Sequence, residues 1–416
     1  MSRNADIIVV GAGMAGVSAA YHLTVRHHAG RVVLVDPRPP LTLTSDKSTE
    51  CYRNWWPNAA MVGLMNRSID ILDELAAETD FGLNRNGYLF VTGEEERLTD
   101  MSRRAEETAR LGAVAEVLDA DLVRKRHHVL TEAAVGGLHI ERAGWFRARD
   151  LGQWMLDRAR EAGATLVAES VIAIHDDTVR LSNGREISAQ AIVVAAGPMA
   201  AEVAAMAGAD LPLFSELHLK VAFKDHLGII PRDAPMTIWS DTQSLDWTDE
   251  ERVELEEAGR ADLLGEMPVF CHFRPEGAPD SPWILALWDY HDSVIKPTWP
   301  IPQDPLYPEV VIRGLATMVP ALSAYRDRLP ESVVDGGYYT KTVENLPLIG
   351  PAPGGRIHLI AGLSGFGVMA SAGTADLVAR HIVGADLPEY SDAFLLDRYA
   401  DSNYVAEPAS GDTGQL

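Results

Sequence analysis

Cysteine is nearly absent from this 416-residue chain, which carries only Cys51 and Cys271. Two thiols cannot build a disulfide framework, an iron–sulfur site or a cysteine-rich metal centre. No apolar run approaches the ~20 residues that cross a bilayer. Strand-like residues begin by Ile7, which leaves no room for a secretory leader. The expectation is a cytoplasmic protein with no membrane span. Basic residues are scarce as well: 36 Lys and Arg against 60 Asp and Glu give a net charge of -24. Such a charge disfavours nucleic acid and anionic lipid as partners. No metal-ligand spacing, Ser-His-Asp order or phosphate-binding P-loop stands out, so no metal is expected. The 47% hydrophobic and 23% charged content is ordinary for a globular chain. The length predicts two domains, and a homo-oligomer is left open.

What is present is concentrated at the start. Residues 6–36 read DIIVVGAGMAGVSAAYHLTVRHHAGRVVLVD. A short apolar run, Ile7 to Val10, feeds a G-x-G-x-x-G turn of Gly11, Gly13 and Gly16. A helical stretch ends at Gly30, and a second apolar run, Val32 to Val35, ends on Asp36. Gly11 permits the tight turn, Gly13 lets backbone amides approach a pyrophosphate, and Gly16 lets helix and strand pack closely. The helix N-terminus adds partial positive charge. Asp36 suits an adenosine ribose and repels a 2′-phosphate, so an ADP-containing dinucleotide is expected and NADP is disfavoured. Strand, turn, helix, strand and acid in this order are a specific signal.

After Asp36 a polar, proline-flanked loop leads to a helix predicted over residues 59–78, with Asn58 as N-cap. Residues 87–92 read as a strand, residues 95–125 as charged helix, and Asp150 as the cap of a further helix. Short strands alternate from 164, and the last, AIVVAAG, is apolar throughout, as in a parallel sheet buried on both faces. It ends in Gly197-Pro198. From 211 to about 339 the strands are longer, interrupted by an acidic helical insert over 248–264 that opens with a Thr248/Glu251 capping box. Residues 357–384 return to strand, glycine turn and helix. Gly362, Gly365 and Gly367 open that helix and offer a second cradle of backbone amides; close packing is the alternative reading. The tail 407–416 is expected to be disordered.

These blocks, in this order, resemble the D-amino-acid-oxidase superfamily of FAD-dependent oxidoreductases, which includes glycine oxidase, sarcosine oxidase and dimethylglycine dehydrogenase. The resemblance rests on the opening turn with Asp36, the stretch AGWFRARDLGQWMLDRAREAGATLVAESVIAI, the strand AIVVAAGP, and GGYYTKTVENLPLIG followed by HLIAGLSGFGVMASAGTADLVARHI. It implies an α/β fold with a discontinuous Rossmann-like FAD-binding domain, residues 1–80, 145–210 and 340–400. The second, substrate domain, residues 81–144 and 211–339, is then mainly antiparallel sheet. FAD would be held non-covalently by Gly11, Gly13, Ala15, Gly16, Asp36, Thr44, Ser45, Ser48, Thr49, Val171, Ala196, Gly197, Gly362, Ser364, Gly365, Phe366 and Gly367. Gly337 falls where some sarcosine oxidases carry a flavin-linking cysteine, so that link is missing.

The resemblance also implies oxidation of the C–N bond of an amino acid or secondary or N-alkylated amine by hydride transfer to the flavin. Thr49 and Arg53 match the Thr and second Arg of a sarcosine-oxidase motif, and there the Arg pairs with the substrate carboxylate. A planar guanidinium suits that bidentate task, although a structural ion pair is the other reading. Glu50 replaces the motif's first Arg. Trp55 and Trp56 read as core or as apolar wall. Tyr339 belongs to a segment the family sets against flavin and substrate. His272 and Arg274 share one face of a strand expected to face the substrate. Leu287 takes the place of an oxygen-activating lysine, and Lys220 is the nearest substitute, although a solvent-facing strand lysine is the simpler expectation. A 2-hydroxy-acid oxidoreductase and a non-catalytic flavin-binding subunit are the competing readings.

Overall fold

The computed structural model describes residues 4–291 and 293–408. The expected disordered tail therefore lies mostly outside the described residues. Two sheets organise the chain. The first has six strands in the order Leu348–Pro351, Ile357–Ala361, Ala191–Val194, Ile7–Val10, Val32–Val35 and Thr165–Val167. All neighbours are parallel except the antiparallel edge pair at 348–361. The central strand Ile7–Val10 and its neighbours Val32–Val35 and Ala191–Val194 are buried at every position. That burial is why they read as unbroken apolar runs rather than alternating ones.

The helices Met14–Tyr21, Ala59–Ala76, Ala148–Glu161 and Gly367–Val383 supply the apolar layer on one face of this sheet. A small antiparallel sheet, residues 171–188, closes the other face. Asn58 caps the second of these helices as expected, its side chain accepting from Ala60 N and Met61 N. Asp150 does not cap the next one. The helix starts at Ala148, whose N–H is taken by the Glu50 carboxylate at 2.8 Å. Asp150 sits in its first turn and pairs with Arg147.

The second sheet has eight strands in the order 332–341, 214–224, 283–287, 271–275, 236–239, 88–92, 136–140 and 116–119. Every neighbouring pair is antiparallel except Met236–Trp239 with Tyr88–Thr92. The stretch 95–125 is thus not all helix. Glu95–Arg110 is helical, but Glu116–Asp119 forms the outermost strand of this sheet before a short helix, Ala120–Arg126. The acidic insert begins as expected, with both bonds of the capping box present, and Arg313 pairs with its Glu251. Asp376 joins three helices by accepting from Arg67 and Arg380 at 3.0 Å each and meeting His27 Nε2 at 3.3 Å. His27 is half-buried by this contact.

Candidate functional site

A cleft of about 420 Å³ runs along the carboxyl ends of the parallel strands and reaches the inner face of the second sheet. This is where open parallel sheets hold ligands, because loops diverge and helix N-termini converge there. Gly11 has φ of 106°, and a Cβ on it would lie 2.3 Å from the Ala195 carbonyl oxygen. A Cβ on Gly16 would lie 1.8 Å from the Gly11 carbonyl oxygen. Both glycines are therefore fixed by close backbone packing. Gly13 is different: its Cβ would meet only Ser45 Oγ, at 3.1 Å, and open cleft lies beyond.

The amides of this turn are partly used. Ala12 N donates to Asp36 Oδ2 and Met14 N to Ser45 Oγ, both at 2.8 Å. Those of Gly13 and Ala15 have no acceptor among the described residues. They are ready donors for a phosphate. At the far end Gly362 (φ 67°), Gly365 and Gly367 open the helix Gly367–Val383 against the same cleft. A Cβ on Gly365 would strike the ring of Tyr339 at 2.3 Å. Acid, free amides and two glycine cradles in one elongated cleft fit an ADP-linked flavin.

Of the residues expected to hold the cofactor, Gly11, Gly13, Ala15, Asp36, Thr44, Ser45, Ser48, Val171, Ala196, Gly197, Gly362, Ser364, Gly365 and Gly367 line the cleft. Gly16, Thr49 and Phe366 do not. Gly16 serves packing, the Thr49 carbonyl is a structural acceptor, and Phe366 sits edge-on to Trp56 in the core. The sequence reading passed over several lining residues, among them Arg38, Glu169, Glu202 and His218. Only the alternation of His218 with Lys220 on one strand could have pointed to any of them.

The inner face of the second sheet collects the remaining candidates. Lys220 is not solvent-facing: it lines the cleft and its Nζ donates to the Ser48 carbonyl at 3.0 Å. Burial lowers its pKa. It sits one step beyond the Val221–Ala286 pair, which sets it beside Leu287. Tyr339 also lines the cleft, and burial pushes its phenol well above the ordinary range.

Arg53, His272 and Arg274 lie behind the cleft wall, all buried. Arg274 is fully engaged. Its Nε and Nη2 donate to the Thr49 carbonyl at 3.1 and 2.7 Å, Nη1 donates to Pro275 O, and Glu276 pairs with it at 2.7 Å. Its donors hold Thr49, just ahead of the strand Cys51–Arg53. Arg53 is the opposite case. It lies over the rings of Trp56 (4.7 Å) and Tyr88 (5.4 Å), its Nε is unbonded, and it has no carboxylate partner among the described residues. Burial accordingly lowers its pKa.

His272 Nδ1 lies 2.7 Å from the carbonyl of Phe270, a residue turned into left-handed backbone with φ of 70°. A carbonyl only accepts, so Nδ1 carries the proton and Nε2 presents a bare lone pair. Burial brings the His272 pKa down to about 4, so the ring is neutral at physiological pH. It is not the cation that could replace a lysine at Leu287. Trp55, Tyr88 and Phe90 wall this region.

The FAD-dependent oxidoreductase (DAO) family matches residues 6–381. The chain belongs to that family. FAD is the cofactor of that family, and Gly337 in the cleft wall has no side chain through which to link to it. An uncharacterized oxidoreductase, YurR, from Bacillus subtilis (strain 168) is 26% identical over 234 residues, 52% of this chain and 59% of that one. Glycine oxidase from Geobacillus kaustophilus (strain HTA426) is 25% identical over 231 residues, 51% of this chain and 60% of that one. The chain thus spans about three-fifths of the curated relatives it matches. The fold is that of solved glycine oxidase from Geobacillus kaustophilus (TM-score 0.76, 19% identity, 97% of this chain and 100% of that one). It is shared by L-proline dehydrogenase from P. horikoshii (TM-score 0.75, 20% identity, 96% and 97%). Among the described residues no helix is long and apolar enough to cross a membrane.

Proposed function

We propose that this oxidoreductase oxidises the C–N bond of an amino acid or of a secondary or N-alkylated amine, with residues 1–80, 145–210 and 340–400 holding FAD and residues 81–144 and 211–339 shaping the substrate site. The observation that carries the reading is Arg53. A buried guanidinium without a carboxylate partner is costly, and a substrate carboxylate would supply the missing charge in bidentate geometry. FAD, when bound, supplies the acceptor for the hydride.

The chain's own groups have separate tasks. Arg53 fixes the carboxylate end. The bare Nε2 of His272 accepts a hydrogen bond from the substrate nitrogen and orients its lone pair. Trp55, Tyr88 and Phe90 keep water from the reacting carbon. Tyr339, wedged against Gly365, closes the boundary between cleft and substrate pocket. Arg274 contributes indirectly by anchoring Thr49, which leads into the strand that carries Arg53.

The test is anaerobic mixing of the purified yellow protein with glycine, sarcosine, L-proline, bulkier amino acids, their amides and 2-hydroxy acids. Loss of the flavin's visible absorbance with amino acids, and not with their amides, is the expected result. Bleaching by 2-hydroxy acids alone would replace the C–N reading with a C–O one. No bleaching by any of them would favour a non-catalytic flavin-binding subunit.

A further inference from the structure

An amino acid arrives with its nitrogen protonated, and the C–N bond can be oxidised only after that proton leaves. His272 cannot keep it, since a base whose conjugate acid has a pKa about 4 returns its proton to water roughly a thousandfold in favour at pH 7. Lys220 is tethered to the Ser48 carbonyl and stands beside Leu287, where reoxidation by dioxygen would draw on it. A third group on the same sheet face was passed over by sequence reading.

His218 lies on the strand Phe214–Lys224, opposite Gly337, with its ring in the cleft wall. Its Nδ1 sits 2.7 Å from Asp289 Oδ2. The ring stacks on Tyr339 with centroids 3.7 Å apart and planes 15° apart. Tyr339 is in turn pressed against Gly365. The imidazole is therefore fixed in position and tautomer: Asp289 holds the proton on Nδ1, and Nε2 is the nitrogen left to exchange one. The nearest group to Nε2 is Glu216 Oε2, at a loose 3.4 Å, and that carboxylate is itself held by Lys341 at 2.5 Å. The charged groups facing the ring are Asp289, Glu216 and Lys341, with Tyr339 stacked on its face and Lys220 two residues along the strand. Asp289 also acts on His272, and Arg53 on Tyr339.

We propose that His218, backed by Asp289, is the acid–base residue of this site and takes the substrate's ammonium proton on Nε2, an inference that rests on the C–N reading above. In that step one N–H bond of the ammonium breaks and an N–H bond forms at Nε2. The electron pair stays on the substrate nitrogen, and His218 becomes an imidazolium between Asp289 and Glu216. A carboxylate behind a base both orients it and stabilises the cation it becomes. Burial works against that cation, but Asp289 and then Glu216 outweigh it and raise the pKa above the usual histidine value. The base is charged, and idle, at low pH. Activity therefore rises with pH through the His218 ionisation.

Two measurements decide this. Histidine NMR of the FAD-loaded protein, with His218 assigned from His218→Gln, should give a pKa above ~6.5 that falls in Asp289→Asn. A His218 pKa at or below that value overturns the proposal. Anaerobic flavin reduction, with L-proline, sarcosine and glycine as probes, should rise with pH along the same ionisation in the wild type. It should fall roughly a hundredfold or more in His218→Gln and lose that pH dependence, while the protein stays yellow. His218→Phe keeps a ring on Tyr339 and should be as slow; wild-type speed there would reduce His218 to a packing role and overturn the proposal. Reduction by none of the probes, whatever the histidine titrates at, sinks the C–N reading itself.

Discussion

The two ends of the cleft are built from different materials. The nucleotide end is made of backbone: a glycine turn packed so closely on neighbouring carbonyls that a Cβ would collide with them, and amides with no partner of their own among the described residues. The substrate end is made of side chains from strands far apart in sequence, and its character depends on which donors are already used. Arg53 and Arg274 show the difference. Both are buried and both lie behind the same wall, yet Arg274 has an acceptor for nearly every donor and Arg53 has rings for neighbours. Residue type says the same of both; only their surroundings separate a structural clamp from a group awaiting an anion.

The largest expected effect tests the backbone end. Gly16→Val forces a side chain into the Gly11 carbonyl, well beyond the ~1–3 kcal/mol of ordinary overpacking. The outcome should be no folded, soluble protein. Gly13→Val points into open cleft and should yield a folded but colourless protein, read from thermal melting and flavin absorbance together. A yellow Gly16→Val protein would break the distinction between the packing glycine and the phosphate-facing one.

Next come the two arginines. Arg53→Lys keeps the charge but loses the planar fork, so kcat/KM should fall by about 2–4 kcal/mol of transition-state stabilisation while flavin content and melting stay near wild type. Arg274→Lys should do the reverse in the first instance, lowering stability by about 1–3 kcal/mol as the Thr49 carbonyl loses its two donors. Equal kinetic and stability effects from both substitutions would dissolve the contrast.

Buried histidines set a pH dependence of stability. His272 titrates near 4 in the folded protein against ~6.5 in an unfolded chain. Between those values the unfolded chain binds the proton and the native one does not. The stabilisation is therefore complete above about pH 6.5 and is lost as the pH falls toward 4, about 3 kcal/mol in all for this one group. His127 and His358, each also near 4, add to the same slope. Melting temperature against pH should flatten in His272→Gln; an unchanged slope would mean that His272 is not held neutral.

The smallest effect concerns the electron acceptor. With Leu287 beside the cleft, reoxidation of the reduced protein by dioxygen is expected to be slow, and its remaining speed to depend on Lys220. Lys220→Met should slow that step by about tenfold, ~1.4 kcal/mol, in rapid mixing with oxygenated buffer, and leave the rate of flavin reduction alone. Fast reoxidation in both proteins would remove Lys220 from this role.

Sequence alone determined the dinucleotide turn, the parallel sheet it belongs to and the presence of a second, mainly antiparallel sheet. Glycine spacing and apolar runs are local, and backbone sterics leave them few alternatives. The strand Glu116–Asp119 was hidden because a short, half-exposed edge strand flanked by charged helices carries little periodic signal. The Ala148 cap was hidden because its acceptor, Glu50, is 98 residues away. Only the tertiary structure turned Lys220 into the cleft, set His272 as a neutral acceptor, and joined His218 to Asp289 across 71 positions of sequence. Such properties depend on burial and on partners brought by other segments, and a linear order of residues does not encode which donors the fold will leave free.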